Sequence, residues 1–209
     1  MPANQKKRAP YRETKRLKAH ERNQIILTSA KNVLIKEGYS NFSLRYVAEK
    51  SGIRLATLQY YYSSKEQLFR AAFEDALDRE RDRINRMLSR AGNSPEEILK
   101  ARITGHFKAN INDETTGFFY QLWARAKLDS FAAELMDEFY ERNTKIVAEL
   151  IRGLNSSLSV RESKRRATFV MATLEGMMLM SDIDKRRKGR FVSSEKYVVN
   201  ALMKFVTDE

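Results

Sequence analysis

The stretch from Ser43 to Lys65, SLRYVAEKSGIRLATLQYYYSSK, constrains this chain more than any other. It holds two short apolar-periodic segments separated by Gly52. Ser43 is a suitable N-cap for the first, with Leu44, Val47 and Ala48 on its inward face. Gly52 ends that helix and Ile53 is an apolar plug after the turn. A second helix is predicted from about Leu55 to Tyr61, with Leu58 inward together with Tyr61 or Tyr62. Two short helices at a tight glycine turn, following a longer helix, form a helix-turn-helix pattern.

Such a unit places its second helix in the major groove of duplex DNA, where its exposed side chains meet base edges. The exposed positions here suit that task. Ala56 and Thr57 permit close approach and can touch a thymine methyl. Gln59 can pair with adenine. Arg54 and Arg45 can reach guanine or a phosphate. Ser43, Tyr60 and Lys65 suit the phosphate backbone. Leu55 and Tyr61 complete the expected DNA-facing set, although the direction of Tyr61 stays open. The same pattern also fits a helical hairpin with Tyr60, Tyr61 and Tyr62 in its core.

Charge bears on the partner, a solubilising excess being the plain alternative. The 209-residue chain has a formal net charge of +12, and residues 1–70 hold 15 Lys/Arg against 5 Asp/Glu. Residues 71–209 hold 24 against 22. A polyanion partner is therefore expected for the first third alone. Residues 1–22 carry eight Lys/Arg, and residues 1–15 are read as a flexible basic arm, able to follow a backbone or remain solvated.

The chain has 3 Pro and 8 Gly, and 42% of its residues are hydrophobic, which favours an all-α fold with ample core. Helices are predicted at about 16–37, 43–52, 55–61, 64–90, 95–110, 117–128, 131–152, 160–182 and 194–207. Ile25, Ile26, Ala30, Val33 and Leu34 mark the apolar face of the first, and Gly38 closes it. Capping boxes are expected at Ser64/Gln67, Ser94/Glu97 and Ser159/Glu162, with Pro95 at N1 of the fifth helix. A basic loop is expected from Lys185 to Arg190. The domain reading is a DNA-binding unit over 16–65 and a helical unit over 66–209.

The absence of cysteine excludes disulfides and thiolate metal sites, and suits a cytoplasmic protein. His106 and His20 form no metal cluster. No apolar run approaches the length of a membrane span and no signal peptide is evident, so no membrane partner is expected. Gly-rich phosphate loops, HExxH and GxSxG are all missing. The expectation is a protein that is not an enzyme and needs no cofactor or metal.

The Ser43–Lys65 region resembles the DNA-binding domain of the tetracycline-repressor (TetR) family. The residues that carry the likeness are Ala30, Gly38, Ser43-Leu44-Arg45-Tyr46-Val47-Ala48, Gly52-Ile53, Thr57-Leu58-Gln59-Tyr60-Tyr61-Tyr62 and Ser64-Lys65-Glu66-Gln67-Leu68. The match covers about residues 20–70. It implies nine helices, a homodimer built from the last two, and a ligand cavity in the C-terminal domain. It also implies repression at a near-palindromic operator, relieved by a small effector. Arg54 stands where the family often has a small hydroxyl residue, and Ala56 where it often has Gly, so the operator sequence is expected to differ.

Within the C-terminal half, His106, Phe107, Phe119, Tyr120, Trp123, Phe139, Tyr140, Met171, Glu175 and Met178 are the candidate ligand-binding residues. For any one of them, ordinary core is the plainer reading. Glu175, on an otherwise packing stripe, needs a partner: a ligand, His106, an arginine or a second subunit. The last two helices offer apolar stripes (Ala167, Val170, Met171, Leu174, Met177, Met178 and Tyr197, Val198, Ala201, Leu202, Phe205, Val206) for a four-helix dimer interface or for packing within one subunit. The functional expectation is a ligand-responsive homodimeric repressor, with a ligand-independent architectural DNA-binding protein as the alternative.

Overall fold

Serine caps and left-handed glycines set the helix boundaries of the first unit. The computed structural model describes the backbone of residues 11–186 and 194–208, and the side chains of 18–112, 115–183 and 194–208. Among the described residues the chain is all-helical, and it divides into two compact units, up to Asp75 and from Ala76 onward.

In the first unit α1 spans Tyr11–Asn41, interrupted at Gly38 (φ 75°, ψ 171°), a conformation open essentially to glycine alone. Tyr11 to Lys15, expected in a flexible arm, are helical; residues 1–10 lie outside the described residues. α2 is Leu44–Ser51 and α3 is Leu55–Tyr61. Ser43 Oγ accepts from the Tyr46 amide at 3.2 Å. At the other end Gly52 is left-handed (φ 67°), and its amide and that of Ile53 satisfy the Glu49 and Ala48 carbonyls at 3.2 and 3.1 Å. This closes the turn with α3 at a fixed angle.

α4, Lys65–Leu88, begins in the first unit and ends in the second. Its first turns belong to the helix-turn-helix core, so the boundary falls at 75/76, ten residues beyond the expected 65/66. Ile26, Ala30, Leu34, Val47, Leu58, Leu68 and Phe73 are buried there. Ile25 was expected on this face but is 48% exposed; Leu27 takes its place. Ser64 caps α4 by accepting from Gln67 N at 3.1 Å. The Gln67 side chain instead accepts from the amide and hydroxyl of Ser63, so the reciprocal half of the box has moved by one residue.

The second unit contains the end of α4 and α5 (Pro95–Asn110), α6 (Asp113–Ala126), α7 (Ser130–Leu154), α8 (Val160–Arg186) and α9 (Glu195–Thr207). The Ser94/Glu97 capping box forms with Pro95 at its start. α6 starts four residues earlier than expected, and α7 continues through Gly153 to a cap at Asn155. Ser159 caps α8, but Glu162 pairs with Arg166 rather than reaching back. The expected loop from Lys185 begins inside α8, and residues 187–193 lie outside the described residues.

α5, α7, α8 and α9 bury one core of Leu99, Ile103, Val147, Ile151, Leu174, Val199 and Leu202, among others. At Gly105 a side-chain carbon would stand 3.0 Å from Ile84, so the absence of one lets α5 seat closely on α4. The stripe expected on α8 is buried within the subunit, with Met177 partly so, whereas that on α9 divides: Val198, Leu202 and Val206 are buried, and Tyr197, Ala201 and Phe205 are exposed. Phe169 and Leu179, on α8 but outside its expected stripe, are exposed as well.

Candidate functional site

Two regions carry the chemistry, one in each unit. In the first, burying Leu58 turns Ala56, Gln59 and Tyr60 outward together, because they sit three and four residues apart on a helix. Tyr60 is 87% exposed. Arg54, at the N-cap of α3, and Arg45, on α2, are also exposed, while Thr57 and Leu55 are half-buried on the flank. These groups form one presented surface of small, amide, aromatic and guanidinium side chains.

The three tyrosines separate by direction. The Tyr62 hydroxyl donates to Asn23 Oδ1 at 2.7 Å and the Tyr61 hydroxyl to the Ala19 carbonyl at 3.3 Å. Both therefore hold α3 to α1, and Tyr61 joins the scaffold rather than the free surface. Burial is the main reason that the Tyr62 hydroxyl is held above its usual range. Lys65 is also engaged: its ammonium donates to the Tyr39 carbonyl at 3.0 Å and lies 3.9 Å from the centre of the Tyr39 ring. Ser43 is exposed, with its oxygen committed to the cap.

In the second unit Phe119, Tyr120, Trp123, Phe139 and Tyr140 form one aromatic cluster. Phe119 and Phe139 lie 5.2 Å apart, Phe139 and Tyr140 5.2 Å, and Tyr120 and Trp123 5.9 Å. Trp123 Nε1–H donates to the Tyr140 hydroxyl at 2.9 Å. The half-buried Glu175 carboxyl lies beside the Tyr140 hydroxyl and the Asn110 side chain. The Asn110 amide donates to the Leu174 carbonyl at 2.9 Å, which fixes its position beside Glu175. Burial pushes the Glu175 carboxyl up to about 7, against the opposing effect of these two polar neighbours. Burial, then the Glu175 charge, raises the Tyr140 hydroxyl well above its usual range.

The other candidates fall elsewhere. Phe107 and Met171 belong to the common core, and Met178 is fully buried. His106 is buried, its Nε2 has no partner, and burial followed by the Arg102 charge lowers it to about 4, so it is neutral. His106 Nε2 therefore makes no hydrogen bond to Glu175. Asn110 escaped the sequence reading, yet it lies four residues after His106 on the same helical face, where a polar residue needs a partner. Among the described residues no group of three or more His, Asp or Glu could hold a metal ion, and no helix is long and apolar enough to cross a membrane.

A family model described as bacterial regulatory proteins, tetR family, matches residues 26–72, the segment that contains the exposed α2–α3 surface. The HTH-type transcriptional regulator BetI of Stenotrophomonas maltophilia is 21% identical over 147 residues, covering 70% of this chain and 74% of that protein. Residues 26–72 thus match the DNA-binding domain of the TetR family. Solved structures share the architecture of the chain. A putative transcriptional regulator from Pseudomonas aeruginosa PAO1 superposes with a TM-score of 0.78 at 15% identity, covering 90% of this chain and 89% of that one. A putative transcriptional regulator from Saccharomonospora viridis, in complex with choline, does so with a TM-score of 0.69 at 20% identity, covering 90% and 96%. With this domain the chain is a DNA-binding transcriptional regulator of helix-turn-helix type.

Proposed function

We propose that this protein is a homodimeric cytoplasmic repressor that binds a near-palindromic operator and is released by a small, largely apolar effector carrying a polar group. The observation that carries the ligand response is the Glu175 carboxyl, set beside Tyr140 and Asn110 at the end of an aromatic cluster. A core needed only for stability gains little from such a group, because burying a carboxyl costs free energy that apolar packing would not. The choline found with the Saccharomonospora viridis regulator supports a second unit of this architecture that admits a small molecule.

On the DNA side, Arg45, Arg54, Ala56, Thr57 and Gln59 read bases, and Ser43 and Tyr60 meet the backbone. Lys65 acts through the loop that it anchors. Dimerisation uses the outer faces of α8 and α9, where Phe169 and Phe205 lie 4.5 Å apart at the surface and Gly176 has open space beside it. Effector binding reaches α4 through α5, which carries Asn110 and seats on Ile84 at Gly105. Effector and DNA then oppose each other by reciprocal coupling.

The test selects an operator from a random duplex library and then measures affinity against a panel of small organic compounds. A palindromic consensus is expected, together with a compound that weakens binding by about tenfold or more. Gln59→Ala should cost about 1–3 kcal/mol at one base pair in each half-site. A protein that selects no consensus, or whose affinity nothing in the panel alters, would not be this repressor.

A further inference from the structure

We propose that the second unit carries a carboxylate-binding site, formed by the Arg102 guanidinium and the His106 imidazole on α5, which takes the acid group of a small amphipathic organic acid. This goes beyond the repressor reading and does not depend on it, because binding here can be measured without DNA.

The site begins with two nitrogens that hydrogen-bond to nothing. Arg102 Nε and His106 Nε2 are both buried, and neither has a partner. The two residues stand four apart on α5, so their side chains share one face of the helix. His106 is only 5% exposed. Buried polar groups are nearly always paired, so two orphaned nitrogens on one face mark a place for an acceptor from outside the chain.

Charge makes that acceptor an anion. Arg102 is half-buried and forms no ion pair with any described residue. Elsewhere in this unit half-buried arginines are neutralised: Arg166 meets Glu162 and the Val206 and Asp208 carbonyls, and Arg125 meets Asp129. Arg142 of α7, the helix packed on α5, adds a second positive charge in place of a counter-charge. Burial, then Arg142, lowers the Arg102 guanidinium from its ordinary range, yet a guanidinium does not shed its proton in a protein. A carboxyl can relieve such strain by protonation; Arg102 needs a counter-ion.

The donors select a carboxylate. A free Nε–H beside an Nη–H presents two parallel donors, which match the two oxygens of a planar carboxylate. Neutral His106 can carry its proton on Nε2 and supply a third. Arg102 remains partly exposed, so this face is reached from solvent. Ile103 and Phe107, beside them on α5, are buried and apolar, which suits an acid that brings apolar surface and disfavours strongly hydrated inorganic phosphate.

Isothermal titration calorimetry of the full-length protein at fixed ionic strength tests this with benzoate, hexanoate and octanoate, their primary amides, and inorganic phosphate. At least one carboxylate should bind at one site per chain, at least about tenfold more tightly than its amide. Arg102→Met should weaken that carboxylate by about thirtyfold and melt no lower than wild type, because it removes an unpaired charge. His106→Leu should weaken it by about fivefold. The amide comparison needs no variant and stands even if Arg102→Met fails to fold. Equal binding of acid and amide, undiminished carboxylate binding by a folded Arg102→Met protein, or phosphate bound more tightly than every carboxylate would each overturn the inference. Release of the operator by other compounds, with every carboxylate inert, would overturn it and leave the repressor reading standing.

Discussion

The Lys65 ammonium donates to the Tyr39 carbonyl at 3.0 Å while lying 3.9 Å from the centre of the same residue's ring. Tyr39 follows the left-handed Gly38 and packs edge-on against Phe69 at 5.2 Å. Lys65 thus pins the loop before α2, and its charge serves the fold as well as any phosphate. Lys65→Ala should lower stability by about 1–2 kcal/mol and weaken operator binding with little change in salt dependence. Arg45→Ala, at an exposed site, should leave melting unchanged and reduce the slope of log affinity against log salt by about one. Thermal melts and salt titrations of both variants decide this. A Lys65→Ala protein with normal melting and a reduced slope would restore Lys65 as a direct phosphate contact.

Lys31 and Asp75 form an ion pair at 2.8 Å with side chains only 3% and 13% exposed. Desolvation makes such a pair modest in net worth, but removing one partner strands the other charge. Asp75→Ala should cost about 3–5 kcal/mol in urea unfolding, and the double change Lys31→Met, Asp75→Leu should recover most of it. A single-variant cost below about 1 kcal/mol would contradict this account.

His106 sets an acid limit. Its imidazole is held at about 4, below the ordinary 6.5, so the unfolded chain takes up a proton that the folded one refuses. Stability from this group is therefore present above about 6.5 and is lost as pH falls toward about 4, by about 3 kcal/mol in all. Glu175 acts in the opposite sense. Its carboxyl is raised from 4.5 to about 7, so it favours folding at low pH and opposes it as pH rises through that window. Relative to wild type, His106→Leu should gain stability on going from pH 7 to pH 5. Glu175→Gln should gain it on going from pH 5 to pH 8. Differences that do not vary with pH would show that neither group titrates as described.

Phe169 and Phe205 are 52% and 39% exposed, and Tyr197 is 74% exposed. Changing both phenylalanines to Glu should leave the subunit core intact and halve the mass measured by light scattering. Operator affinity should fall by about 100-fold or more as two reading heads become one. A double variant that retains the dimer mass would place the interface elsewhere.

Several features of the fold were legible because they depend on local interactions. The Ser43 and Ser94 caps and the left-handed Gly38 and Gly52 each involve groups a few residues apart. Apolar periodicity located the helices but could not resolve two adjacent apolar stripes. Tyr197 and Val198 are sequence neighbours on α9, yet one is exposed and the other buried. Ile25 and Leu27 exchanged roles on α1 for the same reason.

By itself, the sequence determined the helix-turn-helix, the basic character of the first third and the residue types carried on α2 and α3. Only the tertiary structure decided how polar side chains pair across the chain. Lys31 and Asp75 are 44 residues apart, Tyr62 and Asn23 are 39 apart, and Asn110 reaches the Leu174 carbonyl across 64. Helical spacing fixes which face a residue occupies, but the partner on the opposing helix depends on how whole helices pack. That packing brought Trp123, Tyr140, Glu175 and Asn110 together.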